Sequence, residues 1–238
     1  VGIISSVIVD DQNSDNLLVG ALGSGFEKNT ERGVYRSTDG GSTWVNTLFV
    51  SDSSGVCEMV ADPTNSSVIY ACFFNRVNLA TRSVARGLDS KIYKSIDGGV
   101  SWNQLTNGLP STEHSRVGIA VSASNPNRLY AVYVGDTYNV SEIYRSDDAG
   151  ANWTGINANS GNNGLDQSAL GGFGWYFGRI YVNPLNENHI ILPGVDQYES
   201  YDAGVNWALN VPIWWTYEVH ADKHALIFQD ANTIIIGT

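Results

Sequence analysis

The chain has 238 residues, 42% of them apolar and 16% charged, enough to bury a large core and too apolar for disorder. The balance of 13 basic against 24 acidic residues gives a formal net charge of −11, which argues against a partner held through a phosphate backbone. The nearest basic group, Arg76, Arg82 and Arg86, is broken up by apolar and polar residues and reads as a solvated loop. No apolar run approaches the roughly 20 residues of a membrane span.

The opening VGIISSVIVD reads as a strand rather than a leader, so the sequence is expected to begin inside a folded unit. SVIVDDQNSDNLLVGA (6 to 21) then runs apolar, through an Asn/Asp turn, and apolar again, which is a β-hairpin signal. The pattern returns in MVADPTNSSVIYACFF (59 to 74), IAVSASNPNRLYAVYV (119 to 134) and IYVNPLNENHIILPGV (180 to 195). A shortened fifth copy, ALIFQDANTIIIGT, occupies 225 to 238.

After each full hairpin comes a second repeat, Tyr-x-Ser-x-Asp-x-Gly-x-x-Trp. YRSTDGGSTW (35 to 44) is followed by YKSIDGGVSW (93 to 102), YRSDDAGANW (144 to 153) and YESYDAGVNW (198 to 207). Its aspartates, Asp39, Asp97, Asp148 and Asp202, lie 58, 51 and 54 residues apart, so each period holds one supersecondary unit. The hairpin supplies two strands, the Tyr-x-Ser run a third and the stretch from the Trp onward a fourth. The expected fold is therefore all-β, a propeller of four-stranded blades at roughly 1–50, 51–110, 111–160 and 161–215, with the start of another at 216–238.

The repeated turn has a sufficient architectural explanation. Its Asp (Asp39, Asp97, Asp148, Asp202) is expected to accept backbone N–H bonds across the turn, and the Ser (Ser37, Ser95, Ser146, Ser200) belongs to the same structural motif. Gly41, Gly99, Gly150 and Gly204 supply a backbone conformation other residues dislike. Trp44, Trp102, Trp153 and Trp207 are expected to wedge between neighbouring sheets. In this topology the hairpin turns and the repeated turns share one pole. The loops at 20–33, 72–90, 106–116, 157–178 and 209–224 share the other, where long loops point to function.

Cys57 and Cys72 flank the turn DPTNSS, so in a regular hairpin they sit opposite each other. A cross-strand disulfide and a pair of buried thiols are the two open readings.

Two linking segments carry the candidate site. GGFGWYFGR ends in Trp175, Tyr176, Phe177 and Arg179; NVPIWWTYEVHADKHAL sets Trp214, Trp215 and Tyr217 ahead of Glu218, His220, Asp222 and His224. Aromatics beside a few polar groups suit a sugar ring or a peptide side chain, and equally suit packing between blades. Asp166, Glu218 and Asp222 are the acids on these loops that qualify for catalysis. His220, Asp222 and His224 alternate, so on an extended segment they would share a side and could ligate a metal, or else simply line a channel. Arg116 and Arg179 both open an inner strand, where they could meet an anionic ligand or pair with nearby carboxylates. No cofactor is expected.

The turn motif resembles the Asp-box, or BNR repeat, of sialidases, sortilin-type receptors and bacterial glycosidase-like propellers. The order of elements, ending in VHADKHAL, resembles bacterial secreted propellers of the sortilin-like or glycosyl-hydrolase-like type. That resemblance implies an extracellular or cell-surface protein. It also implies that more blades of the same propeller follow, so that this sequence is a fragment. Two functions are expected: a non-catalytic module that binds protein or glycan or serves as a scaffold, or a glycoside hydrolase of sialidase or oligoxyloglucan-hydrolase kind. The latter uses a pair of acids, and no sialidase-type arginine motif precedes the first turn.

Overall fold

The computed structural model describes residues 2–156, 163–211, 220–230 and 233–238. Trp214, Trp215, Tyr217 and Glu218 lie outside the described residues.

The chain is nearly all β. The first sheet contains, in order, β1 (Ile3–Val9), β2 (Leu17–Gly23), β3 (Gly33–Ser37) and β4 (Val45–Leu48). The second is built from β5 (Ser54–Asp62), β6 (Asn65–Asn75), β9 (Ile92–Ser95) and β10 (Asn103–Gln104). A small hairpin, β7 (Val77–Asn78) with β8 (Ser83–Val84), sits in the loop between β6 and β9. The third sheet holds β11 (Val117–Val121), β12 (Leu129–Val134), β13 (Val140–Ser146) and β14 (Thr154–Gly155). The fourth holds β15 (Tyr181–Asn183), β16 (Asn186–Pro193), β17 (Gln197–Ser200) and β18 (Ala208–Val211). A last pair, β19 (Ala225–Phe228) and β20 (Ile234–Gly237), stands alone. Each four-stranded sheet is a meander with antiparallel neighbours, as a propeller blade is.

Two compact units divide the chain. One comprises residues 1–106 with 110–117 and holds the first two sheets; the other comprises 107–109 with 118–238. In the first, Leu18 and Val34 of blade 1 pack with Val56, Met59, Ile69, Ala71 and Phe73 of blade 2. In the second, Tyr130, Val132 and Ile143 of blade 3 pack with Ile190, Leu192, Tyr198 and Trp207 of blade 4. The second strand of a blade shows how burial follows neighbours. All six residues of β12 are buried, because both faces of its continuous apolar run are covered. In β2 buried residues are interspersed with half-buried ones, although LLVGALG is apolar throughout.

The repeated turn has one geometry in all four blades. The Ser hydroxyl donates to the Asp Oδ1 at 2.7 Å (Ser37, Ser95), 2.8 Å (Ser146) and 2.9 Å (Ser200). The Ser Oγ in turn accepts the backbone N–H of Gly41, Gly99, Gly150 and Gly204. The Trp indole N–H donates to the carbonyl of that glycine in every copy. The turn is also tied to its own hairpin: Gly40, Gly98, Ala149 and Ala203 donate backbone N–H bonds to Asp15, Ser67, Asn127 and Asn188. Hairpin turn and repeated turn of a blade therefore meet at one pole.

Of the two readings of the cysteine pair, buried thiols is the one found, and one expectation for the Trp residues is corrected. Cys57 and Cys72 form no disulfide and are both buried. A bulge between Val56 and Glu58 makes Glu58, not Cys57, the partner of Cys72, and the Cys57 thiol contacts the Cys72 and Val117 carbonyls instead. Nor does every Trp wedge between sheets: Trp153 and Trp207 are 5% and 6% exposed, whereas Trp44 is 40% exposed.

Candidate functional site

The pole away from the repeated turns carries an aromatic hollow in the second unit. The link into blade 4 folds as a one-turn 3-10 helix, Gln167–Leu170, and a single α-helical turn, α1 (Gly174–Phe177). Gly171 and Gly172, both at positive φ, reverse the chain between them. Apolar anchors at Leu170 and Phe177 hold the segment to the core, which leaves Phe173 and Tyr176 half exposed, at 51% and 52%. Phe173, Trp175, Tyr176, Phe177 and Asp222 line a hollow of about 300 Å³.

His224 braces the aromatics from behind. Its ring stacks on Phe177, with centroids 5.2 Å apart, and meets Tyr176 edge-on at 4.6 Å. Arg179 Nη1 reaches the His224 carbonyl at 3.5 Å. Asp222 adopts φ 72, an unusual backbone for a residue other than glycine, and is half buried. Behind it Lys223 is 1% exposed and donates from Nζ to the Val195 carbonyl at 2.9 Å. Burial lowers the Lys223 pKa, against the opposing pull of Asp196 and Asp222. Asp196 Oδ1 is buried without a hydrogen-bond partner.

The structure gathers only some of the residues that the sequence singles out. Trp175, Tyr176, Asp222 and His224 come together. Asp166 is spent on capping the 3-10 helix, accepting bonds from Ser168 N and Oγ at 2.8 Å. His220 is exposed and its Nδ1 contacts the Ala221 carbonyl. The metal reading of His220, Asp222 and His224 is corrected: among the described residues no three such side chains form a group that could hold an ion. The left-handed Asp222 breaks the alternation that would align them, and the His224 ring is packed on aromatics. Arg116, 9% exposed and belonging to the first unit, donates to the Cys57 carbonyl at 3.2 Å.

Three contributors were not singled out from the sequence: Phe173, Lys223 and Asp196. Lys223 stood inside HADKHAL, where the flanking histidines drew attention. Asp196 sits in the short connection from β16 to β17, which carries no motif.

Four-stranded antiparallel meanders recurring along the chain define it as a β-propeller protein. No family model matches the chain. A stretch of 177 residues, 74% of this chain and 18% of the relative, is 27% identical to a xyloglucanase of Hypocrea jecorina (strain QM6a). Among solved structures, the GH74 xyloglucanase of Xanthomonas campestris superimposes with a TM-score of 0.63 at 16% identity, covering 87% of this chain and 30% of that one. An ancestral GH74 enzyme gives 0.62 at 20% identity, covering 87% and 25%. A Hadza microbial sialidase gives 0.51 at 16% identity, covering 96% and 48%. The chain is thus similar to glycoside-hydrolase propellers and spans about a fifth of the curated relative.

Proposed function

We propose that this chain forms part of a glycoside-hydrolase propeller of xyloglucanase kind, and that its aromatic hollow contacts a glucan chain. The carrying observation is the hollow itself: Tyr176 and Phe173 offer exposed ring faces to the apolar side of a pyranose, and Asp222 offers a carboxylate to its hydroxyls. The sequence likeness to a xyloglucanase supports the choice of glucan over peptide. The described lining of the hollow holds one carboxylate, whereas glycosidic hydrolysis by a carboxylate pair needs two. The hollow is therefore a sugar-contact site, and Asp222 a binding group, rather than a complete catalytic centre. In this reading the repeated turns are Asp-boxes with a structural task, and the protein works outside the cell, where its polymer is found.

Isothermal titration with xyloglucan oligosaccharides tests the reading. Tyr176→Ala is expected to weaken binding about tenfold, a loss of about 1.4 kcal/mol. Asp222→Asn is expected to weaken it less, because an amide still bonds hydroxyls. Unchanged affinity in Tyr176→Ala, or binding of xyloglucan no tighter than of an unrelated polysaccharide, would overturn it.

A further inference from the structure

At the pole of the repeated turns, the contact between blades 3 and 4 is filled by an arginine. Arg128, just ahead of β12, pairs through Nε with Asp147 and donates from Nη1 to Asn188 Oδ1 at 3.0 Å and to the Tyr130 hydroxyl at 3.3 Å. Its Nη2 lies 3.6 Å from Glu187 Oε1, so the side chain crosses from its own blade to the hairpin of the next. Arg145 shares Asp147 with it, which sets two guanidinium groups on one carboxylate.

The contact between blades 1 and 2 repeats this frame without the crossing arginine. Leu17 pairs with Ser37 as Leu129 pairs with Ser146, so Asn16 stands where Arg128 does, and Arg36 where Arg145 does. Ser67 accepts the turn N–H of Gly98 as Asn188 accepts that of Ala203, so Ser66 and Ser67 stand where Glu187 and Asn188 do. Asn16 is too short to cross, and its amide stops at Asp10 Oδ2, 3.3 Å away. A cavity of about 180 Å³ remains, lined by Asp10, Asn16, Arg36 and Ser66 together with Leu18 and Ile69. Asp97 lines it too, but its oxygens already serve Ser95 and Ser101 of its own turn. The free acid has moved as well. Asp10 bonds the Asn16 carbonyl as Ser122 bonds that of Arg128, so a carboxylate replaces a serine there. Bonds from the Gln12 backbone, then from the Asn16 and Ser66 side chains, hold the Asp10 carboxyl below the usual range. Arg36 turns its Nε to the Gly98 carbonyl at 3.1 Å.

We propose that this cavity is a receptor site for a guanidinium group, supplied by an arginine side chain of a partner polypeptide and seated where Arg128 sits in the other pair of blades. An ionised carboxylate with a hydroxyl beside it suits the planar donor fork, and the Leu18 and Ile69 side chains suit its methylene stem. Arg36 is no obstacle, since Arg145 lies beside Arg128 in the same way. The cavity is small for a whole amino acid with two further charged groups, and the net charge of −11 favours approach of a basic partner. The inference is independent of the glycan reading, since it concerns the first unit and the pole of the repeated turns.

Isothermal titration of the full-length protein with the blocked peptide acetyl-Gly-Arg-Gly-amide tests it. Saturable binding is expected, with the citrulline counterpart, which keeps the shape and loses the charge, about tenfold weaker. Asp10→Asn is expected to weaken the arginine peptide about tenfold as well. Asn16→Arg, which supplies the guanidinium from inside the blade, is expected to abolish binding without lowering the melting temperature. Equal affinity for the arginine and citrulline peptides would overturn the proposal, as would an Asn16→Arg protein that folds and still binds. Free arginine binding more tightly than the blocked peptide would overturn the assignment to a partner chain.

Discussion

The four aspartates of the repeated turns are saturated acceptors. Asp39 takes the Thr43 hydroxyl and backbone N–H as well as the Ser37 hydroxyl, and these bonds hold its pKa at about 2. Ser101, in side chain and backbone, and then Ser95 do the same for Asp97, again to about 2. Asp148 is lowered by the Asn152 side chain and backbone. For Asp202 burial pushes upward and is outweighed by the two bonds from Asn206. A carboxyl whose folded pKa is depressed contributes stability that is present above its unfolded pKa and lost as pH falls toward the folded one. The turns should therefore weaken between about pH 4 and about pH 2. Asp97→Asn is expected to flatten the pH dependence of urea unfolding across that window; an unchanged slope would remove the aspartate from the account.

In the sequence motif the residue before each Trp is an unconstrained position. Yet Thr43, Ser101, Asn152 and Asn206 all donate a side-chain bond to Asp Oδ2. The signal was there: a short side chain with a hydrogen to donate in every copy. A second constraint was equally concealed. The residue before the turn glycine has φ 68 and 69 as Gly40 and Gly98, but 55 and 60 as Ala149 and Ala203. Alanine is strained there, so Ala149→Gly and Ala203→Gly should each stabilise by about 0.5 to 1 kcal/mol in chemical denaturation. Gly98→Ala is the converse control, because its Cβ would meet nothing within 4 Å and any loss is purely conformational.

At the scale of elements, hairpins and turn spacing were legible because period-2 apolar runs and turn residues are local signals. The bulge at Cys57 was not, since nothing in SGVCEMVAD marks an extra residue. Both thiols are buried, and burial first, then the nearby Cys57 and Glu58, pushes the Cys72 thiol well up. A reducing agent should accordingly leave the melting temperature unchanged, and a drop would reinstate the disulfide. The aromatic link into blade 4 was read as a loop; its two short helical turns arise from Asp166 capping and glycine reversals too brief to show periodicity. Leu18, 5% exposed, sits over Gly99, and Leu18→Ala should cost about 2 to 5 kcal/mol, read from urea midpoints.

For the whole molecule, fold was far more legible than site. Four copies of one motif gave the four-stranded sheets and their strand order, and they placed the repeated turn of each blade beside its own hairpin turn. The site depends on how the link into blade 4 and the HADKHAL segment fold against each other, and that depends on a left-handed aspartate and a buried lysine that no repeat announces.

The bond from each repeated turn to its own hairpin has one more implication. Because Gly40, Gly98, Ala149 and Ala203 each find a fixed carbonyl in the neighbouring hairpin, loop length at that pole is locked in register. An inserted residue there would unhook the pair, whereas the links at the other end of each blade, 24–32, 76–91 and 135–139 among them, already differ in length. Variation in length among proteins of this design should therefore accumulate at the aromatic end, and grafted segments or reporter peptides belong there.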